Sequence, residues 1–144
     1  VRDIKFRAWD DSKRMMCRVL MVWPGDGDNY GLQFYDGLGG ITLSTTAAKE
    51  GVALMQYTGL KDKNGREIYE SDIVRFVEND GEVSVGEVRM GKKNAAWSFY
   101  LPHVATGVTI PMLNYIHGML SLVSEYDFEV IGNIHENPEL LKAA

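Results

Sequence analysis

A chain of 144 residues, 45% apolar and 10% aromatic, can build a real core as one ordinary domain or two small modules, and disorder is not expected. A net charge of −5 argues against strong non-specific nucleic-acid binding, which depends on neutralising phosphates with Lys and Arg. No run approaches the roughly 18 consecutive apolar residues of a membrane span, no signal-peptide apolar region opens the chain, and the lone Cys17 forbids an internal disulfide. A reducing cytoplasm is the expected compartment, with Cys17 an inert buried thiol among Met and Val neighbours.

Residues 1–9 alternate, with Ile4, Phe6 and Ala8 on one face and Lys5, Arg7 and Trp9 on the other, which predicts a half-buried strand. Asp10-Asp11-Ser12-Lys13 is turn chemistry, because short polar side chains there bond the local backbone. Residues 14–23 (RMMCRVLMVW) complete a hairpin whose Met and Trp residues either pack inward or offer a sticky face to a partner. Pro24–Asn29 and Asp36–Gly40 read as loops around a short strand, Tyr30–Tyr35. Their glycines lack the spacing of a dinucleotide fingerprint and no Gly-Lys-Ser/Thr follows, while Asp26 and Asp28 are too few for calcium. Residues 41–55 fit a strand extension at Ile41 and Leu43 and one or two helical turns through Lys49, capped by Ser44 or Thr45 and stopped by Gly51, with a domain seam expected in this region.

The central run 56–76 is the most distinctive. Asn64-Gly65 predicts a hairpin through a type I′ turn, with positive φ at both residues. Glu67, Glu70 and Asp72 gather three carboxylates, but no His or Lys beside them completes a hydrolytic or phosphoryl-transfer site. Asp72, just before the strand 73–78, is expected to cap backbone N–H groups at a corner. In strand 82–90 the apolar phase slips at Gly86, which predicts a β-bulge and a bend around a barrel. Gly91–Asn94 is a turn, and Trp97, Phe99 and Leu101 point inward from strand 95–101. Residues 108–110 are a short β segment, and 112–123 fit helix and strand equally. His103, His117 and His135 are too far apart for a zinc pair. His117 is expected to be partly buried and His103 exposed. The chain closes with strand 128–134 and a helical turn at 139–142, capped by Asn137 with Pro138 at its first position.

MQYTGLKDKNGREIYESDIVRF (55–76) and VIGNIHENPELL (130–141), with DIKFRAWD and Lys13-Arg14-Met15-Met16 at the start, resemble the YopX-like family of phage and prophage proteins. Ser71 departs from the family's usual Tyr-Glu-Gly-Asp corner, so a positive φ there would be strained. The resemblance implies a mainly β protein with minor α. An N-terminal hairpin or meander region over 1–54 would pack on a small SH3-like barrel over 55–144. It also implies residence in a bacterial host's cytoplasm under phage control. It supplies no activity and no catalytic residue.

Taken together, these features favour a non-enzymatic, cofactor-free phage accessory protein that binds a host or phage protein or a second copy of itself. Tyr57, Tyr69 and Tyr100, beside Trp9 or Trp23, are its candidate anchors. The alternative is a nucleic-acid-binding accessory in which Lys61, Lys63 and Arg66 converge with Arg89, Lys92 and Lys93, and Tyr residues stack on bases. A metal enzyme built on Glu67, Glu70 or Asp72 ranks last.

Overall fold

Short runs of alternating apolar residues punctuated by Gly, Asn and Asp produce strands joined by tight turns, and the fold is built from these. The computed structural model describes residues 3–77, 81–90, 97–101, 108–111 and 128–142. Its strands are β1 Phe6–Asp10, β2 Met15–Pro24, β3 Tyr30–Tyr35, β4 Ile41–Ser44, β5 Val52–Lys61, β6 Glu67–Tyr69, β7 Asp72–Val77, β8 Val83–Met90, β9 Trp97–Leu101, β10 Val108–Pro111 and β11 Glu129–Asn133. A 3₁₀ turn over Pro138–Leu141 follows. The protein is mainly β, and no α-helix occurs among the described residues.

Two antiparallel sheets result, with strand orders β4-β3-β2-β1-β5-β6 and β10-β9-β8-β7-β11. By contacts the chain divides into two compact units, Val1–Tyr57 and Thr58–Ala144, and the division falls inside β5. Neither sheet closes on itself among the described residues, so the SH3-like barrel expected over 55–144 is not confirmed: β10 and β11 stand at opposite ends of an open order.

The first unit's core is Ala8, Cys17, Leu32, Phe34, Ala47 and Val52, with Met15, Val19, Val22, Tyr30 and Leu54 packed against it. The inward positions of β2 are odd before Leu20 and even after it, because the register with β3 shifts between Val19 and Met21. That extra residue turns Met21 outward and Val22 inward. Central strand β1, paired on both sides, buries Ala8, Trp9 and Asp10, whereas Ile4 precedes the strand and is 73% exposed. Ile4 is therefore not one of the inward residues that simple alternation predicts. Cys17 is buried, and burial pushes its thiol pKa up, as expected of an inert thiol. After β4, residues 46–51 make a single hydrogen-bonded turn, with Glu50 N donating to Thr46 O, and Gly51 ends it at φ 78°.

The second unit's core is Ile68, Val74, Phe76, Val88, Phe128 and Val130, flanked by Leu60 and Trp97, with Phe76 and Phe128 edge to face at 5.9 Å. Burying side chains of this size contributes about 1.5–3 kcal/mol each. Strand β8 keeps an unbroken register with β7 and with β9, so the bulge expected at Gly86 is absent. The valines change parity because both faces of this sheet bury residues: Val74, Phe76 and Val88 lie on one, Ile73, Glu87 and Ser98 on the other. The register shift sits instead in β11, between Val130 and Gly132. In the closing turn Asn137 makes no side-chain cap, contrary to expectation; its amide lies against Gly132, where a Cβ would meet Asn137 Oδ1 at 2.5 Å. The segments holding His103 and His117, and all of 112–123, lie outside the described residues.

The β5–β6 hairpin turns differently from its sequence signature. Gly65 has φ 78° but Asn64 does not have positive φ, and Gly65 N donates to Asp62 O at 2.9 Å while Asp62 N donates to Arg66 O at 2.8 Å. That is a type I turn followed by a left-handed glycine, not a type I′ turn. Asp62 makes this geometry favourable. Its carboxylate is buried, with Oδ1 accepting from the N–H groups of Asn64 (2.9 Å) and Arg66 (2.8 Å) and Oδ2 from Val130 N–H (3.0 Å). Lys63 N adds a bond to Phe128 O at 2.9 Å. The buried Asp62 carboxylate thereby ties the hairpin to β11.

At the next corner Asp72 Oδ2 accepts from Tyr69 N–H at 2.8 Å, the capping role expected of it. Ser71 N donates to Val88 O at 2.8 Å and Ser71 O accepts from Ile134 N at 3.0 Å, so the corner is held at both ends and Ser71 sits at φ 68°. A side chain in that region costs roughly 1–2 kcal/mol. Ser71→Gly is therefore expected to raise stability by about 0.5–1 kcal/mol in urea denaturation, a gain trimmed by glycine's greater unfolded-state entropy; no gain would show the corner to be unstrained. Asp62→Ala, which orphans the N–H of buried Val130 and two turn N–H groups, is expected to cost about 2–4 kcal/mol by the same measurement. A loss below about 0.5 kcal/mol would mean that water replaces the carboxylate.

Candidate functional site

The sequence-predicted positions fall into three groups that the fold treats differently. Tyr57, at the end of the first unit, is 5% exposed, its N–H donates to Lys5 O at 2.8 Å, and the Lys5 ammonium lies 5.4 Å from its ring centroid. Its ring is part of the packing, which corrects its assignment as a surface anchor. Trp9 is buried in the same way, donating through Nε1 to Asp11 Oδ1 at 3.3 Å with Arg14 over its ring. Trp23 is half-buried and lies over Gly31, where a Cβ would meet the indole at 2.0 Å. That contact requires glycine at position 31.

The second group is the charged side of the Thr58–Ala144 unit. Lys61, Lys63 and Arg66 are all exposed around the central hairpin. Lys63 Nζ pairs with Glu129 Oε2 at 3.1 Å, and Arg75 Nη2 pairs with the same oxygen. The two cations hold the Glu129 carboxyl below its ordinary pKa, Arg75 most strongly. Arg89 pairs with the buried carboxylate of Glu87 and stacks 3.9 Å over the Tyr100 ring, and the Glu87 bond pushes the guanidinium pKa up. These cations thus face carboxylates of their own unit. Lys92 and Lys93 lie outside the described residues. Tyr69 is half-buried and donates its hydroxyl to Glu67 Oε2 at 3.0 Å. Within the carboxylate corner, Asp72 is thus engaged by the backbone and Glu67 by the Tyr69 hydroxyl. Among the described residues no group of three or more His, Cys, Asp and Glu side chains is placed to hold a metal ion.

The third group was not assembled from sequence. Antiparallel pairing puts Leu43 opposite Gln33, and Gln33 opposite Met21, in one row across β4, β3 and β2. The adjoining row has Ile41 opposite Tyr35, with the Arg18 guanidinium 5.8 Å from the Tyr35 ring centroid. These side chains occupy the face opposite Leu32 and Phe34 and are open to solvent: Met21 is 57% exposed, Tyr35 37%, Ile41 55% and Leu43 64%. Leu38, at the tip of the β3–β4 hairpin, is 88% exposed. Asp36 holds that tip through Oδ1, which accepts from Leu38 N (2.8 Å) and Gly40 N (3.1 Å); these bonds draw its carboxyl pKa down. Beside the face, Ile4, Phe6, Arg18, Leu20 and Met21 help line an open cleft of about 470 Å³. The sequence signal was the apolar Met/Trp hairpin, but alternation alone does not say that β4 extends its outward side.

Comparison with solved structures finds the same architecture over almost the whole chain. The protein EF1440 from Enterococcus faecalis is 29% identical with a TM-score of 0.59, covering 98% of this chain and 99% of its own. The protein yopX from Bacillus subtilis is 20% identical with a TM-score of 0.58, covering 97% and 98%. No curated protein matches by sequence. The family model described as YopX protein matches residues 5–142, and the chain belongs to the YopX family.

Proposed function

We propose that this chain is a non-enzymatic protein-interaction module, acting as a phage or prophage accessory protein in the bacterial cytoplasm, and that it binds through the outer face of β2, β3 and β4. The observation that carries this reading is the apolar face itself. Met21, Tyr35, Ile41 and Leu43 stand in register on three adjacent strands, and Leu38 extends the surface at the hairpin tip. Contiguous exposed apolar area of this kind marks interaction sites, whereas single exposed apolar residues do not. Tyr35 under Arg18 is the kind of aromatic and guanidinium pair that anchors interfaces. The family resemblance supports the phage setting. Among the described residues no helix is long and apolar enough to cross a membrane.

The nucleic-acid alternative rests on Lys61, Lys63 and Arg66 together with Arg89, Lys92 and Lys93. The pairing of Lys63 with Glu129 and of Arg89 with Glu87 weakens it, because phosphate would have to compete with carboxylates already in place.

The two readings separate in one experiment. Tagged protein and a Met21→Lys/Leu43→Lys variant are used to capture partners from host lysate, with and without nuclease. The expected result is a protein partner, whether a second copy of the chain or another protein, that survives nuclease and is lost at least tenfold with the variant, whose fold is checked by circular dichroism. Capture abolished by nuclease, or unchanged by the double substitution, would overturn the assignment of this face.

A further inference from the structure

The outer face of β2–β3–β4 has a chemistry that selects a particular occupant. Its strand positions carry Met21, Trp23, Gln33, Tyr35, Ile41 and Leu43, with Arg18 as the charged member and no acidic side chain. In a chain of net charge −5, such a face meets a second copy without opposing carboxylates, and it offers no charge pattern to select a strongly charged partner. With about 200 Å² per large side chain, the exposures of Met21, Tyr35, Leu38, Ile41 and Leu43 amount to about 600 Å², so two copies supply about 1,200 Å², the lower bound of stable interfaces.

Gln33 adds the specific element. It is half-buried in the middle of the row Leu43–Gln33–Met21, flanked on both sides by apolar side chains. A primary amide has two donors and a carbonyl acceptor, so it is self-complementary: two such groups related by a two-fold axis each donate to the other's oxygen. An isologous contact places the patch against the same patch, and an axis beside Gln33 would set the two amides against each other.

Resting on the interaction reading above, we infer that the partner on this face is a second copy of the chain, packed face to face about a two-fold axis, with the two Gln33 amides paired at its centre. Leu43 and Met21 of each copy cover the amides from either side and exclude water. The interface is sheet on sheet, like the two layers of a sandwich.

The test uses the full chain in sedimentation equilibrium from micromolar to near-millimolar protein. Wild type is expected to be a concentration-dependent dimer. Gln33→Glu and Gln33→Lys, at a half-buried outward position, are each expected to weaken it at least tenfold at neutral pH with unchanged circular dichroism. An equimolar mixture of the two variants is expected to regain dimer as a heterodimer, because only a two-fold contact sets position 33 against itself. A monomeric wild type overturns the inference, as does a dimer indifferent to both substitutions or a mixture no better than its components. If the wild type is monomeric but capture of another protein still depends on Met21 and Leu43, the interaction module stands and the self-pairing alone is lost.

Discussion

A backbone that reverses direction this often must find acceptors for the N–H groups its turns leave unpaired, and short acidic or amide side chains at strand ends provide them. Asp10 Oδ1 takes the N–H groups of Ser12 (3.0 Å) and Lys13 (3.2 Å) after β1. Asp36 holds the β3–β4 tip, Asp62 the β5–β6 hairpin, Asp72 the corner before β7, and Asn133 Oδ1 the N–H groups of His135 and Glu136 after β11. Of these five, Asp10, Asp62, Asp72 and Asn133 are buried. An unmade hydrogen bond at such a site costs about 1–3 kcal/mol, comparable with a core side chain. Asp10, Asp36, Asp62 and Asp72 are therefore architectural, and they serve the backbone.

Asp62 shows how local and distant order are joined by this device. Two of its hydrogen bonds stay within the hairpin, and the third reaches Val130 on β11. Once it does so, Glu129 is positioned beside Lys63 and Arg75, and Phe128 against Phe76. Exposed ion pairs such as these contribute little alone, so the buried carboxylate, not the surface charges, sets the geometry. Lys63 and Arg75 meet around Glu129 as a consequence of how the hairpin is tied to β11.

What was legible in the sequence follows from which signals are local. Asn64-Gly65 marked a hairpin, and Asp72 a cap, because both act within a few residues. The turn type was not legible, since it depends on Asp62 favouring right-handed backbone at Lys63 and Asn64, a bond list that includes β11. The parity change near Gly86 mimics a bulge because alternation assumes one buried face, and here Ile73, Glu87 and Ser98 are buried on the other. The real shift in β2, at Leu20, lies within the apolar run VLMV, where a change of phase leaves no trace. Tyr57 reads as an anchor in sequence because aromatic residues are common in binding sites; in the fold it is buried, with its N–H on Lys5 O and the Lys5 ammonium near its ring.

The interaction face illustrates the same limit from the other side. Strands β2 and β3 carry apolar residues at both parities, so sequence alone permits either side to be core, while the apolar pair of β4, Ile41 and Leu43, shares one parity. Phe34 and Leu32 are directed inward with Cys17 and Val19, which forces Gln33 and Tyr35 outward, and the ladder then forces Met21, Leu43 and Ile41 outward with them. Nothing in this logic requires those outward residues to be apolar; on a solvated face polar residues would serve the strands equally well. Strand β4 sharpens the point, because it is the last strand of its sheet yet carries no Lys, Pro or bulge of the kind that guards exposed edges. Fold stability explains the inner residues of these three strands. The outer ones need a different reason, and burial against another protein surface, as proposed above, would supply it.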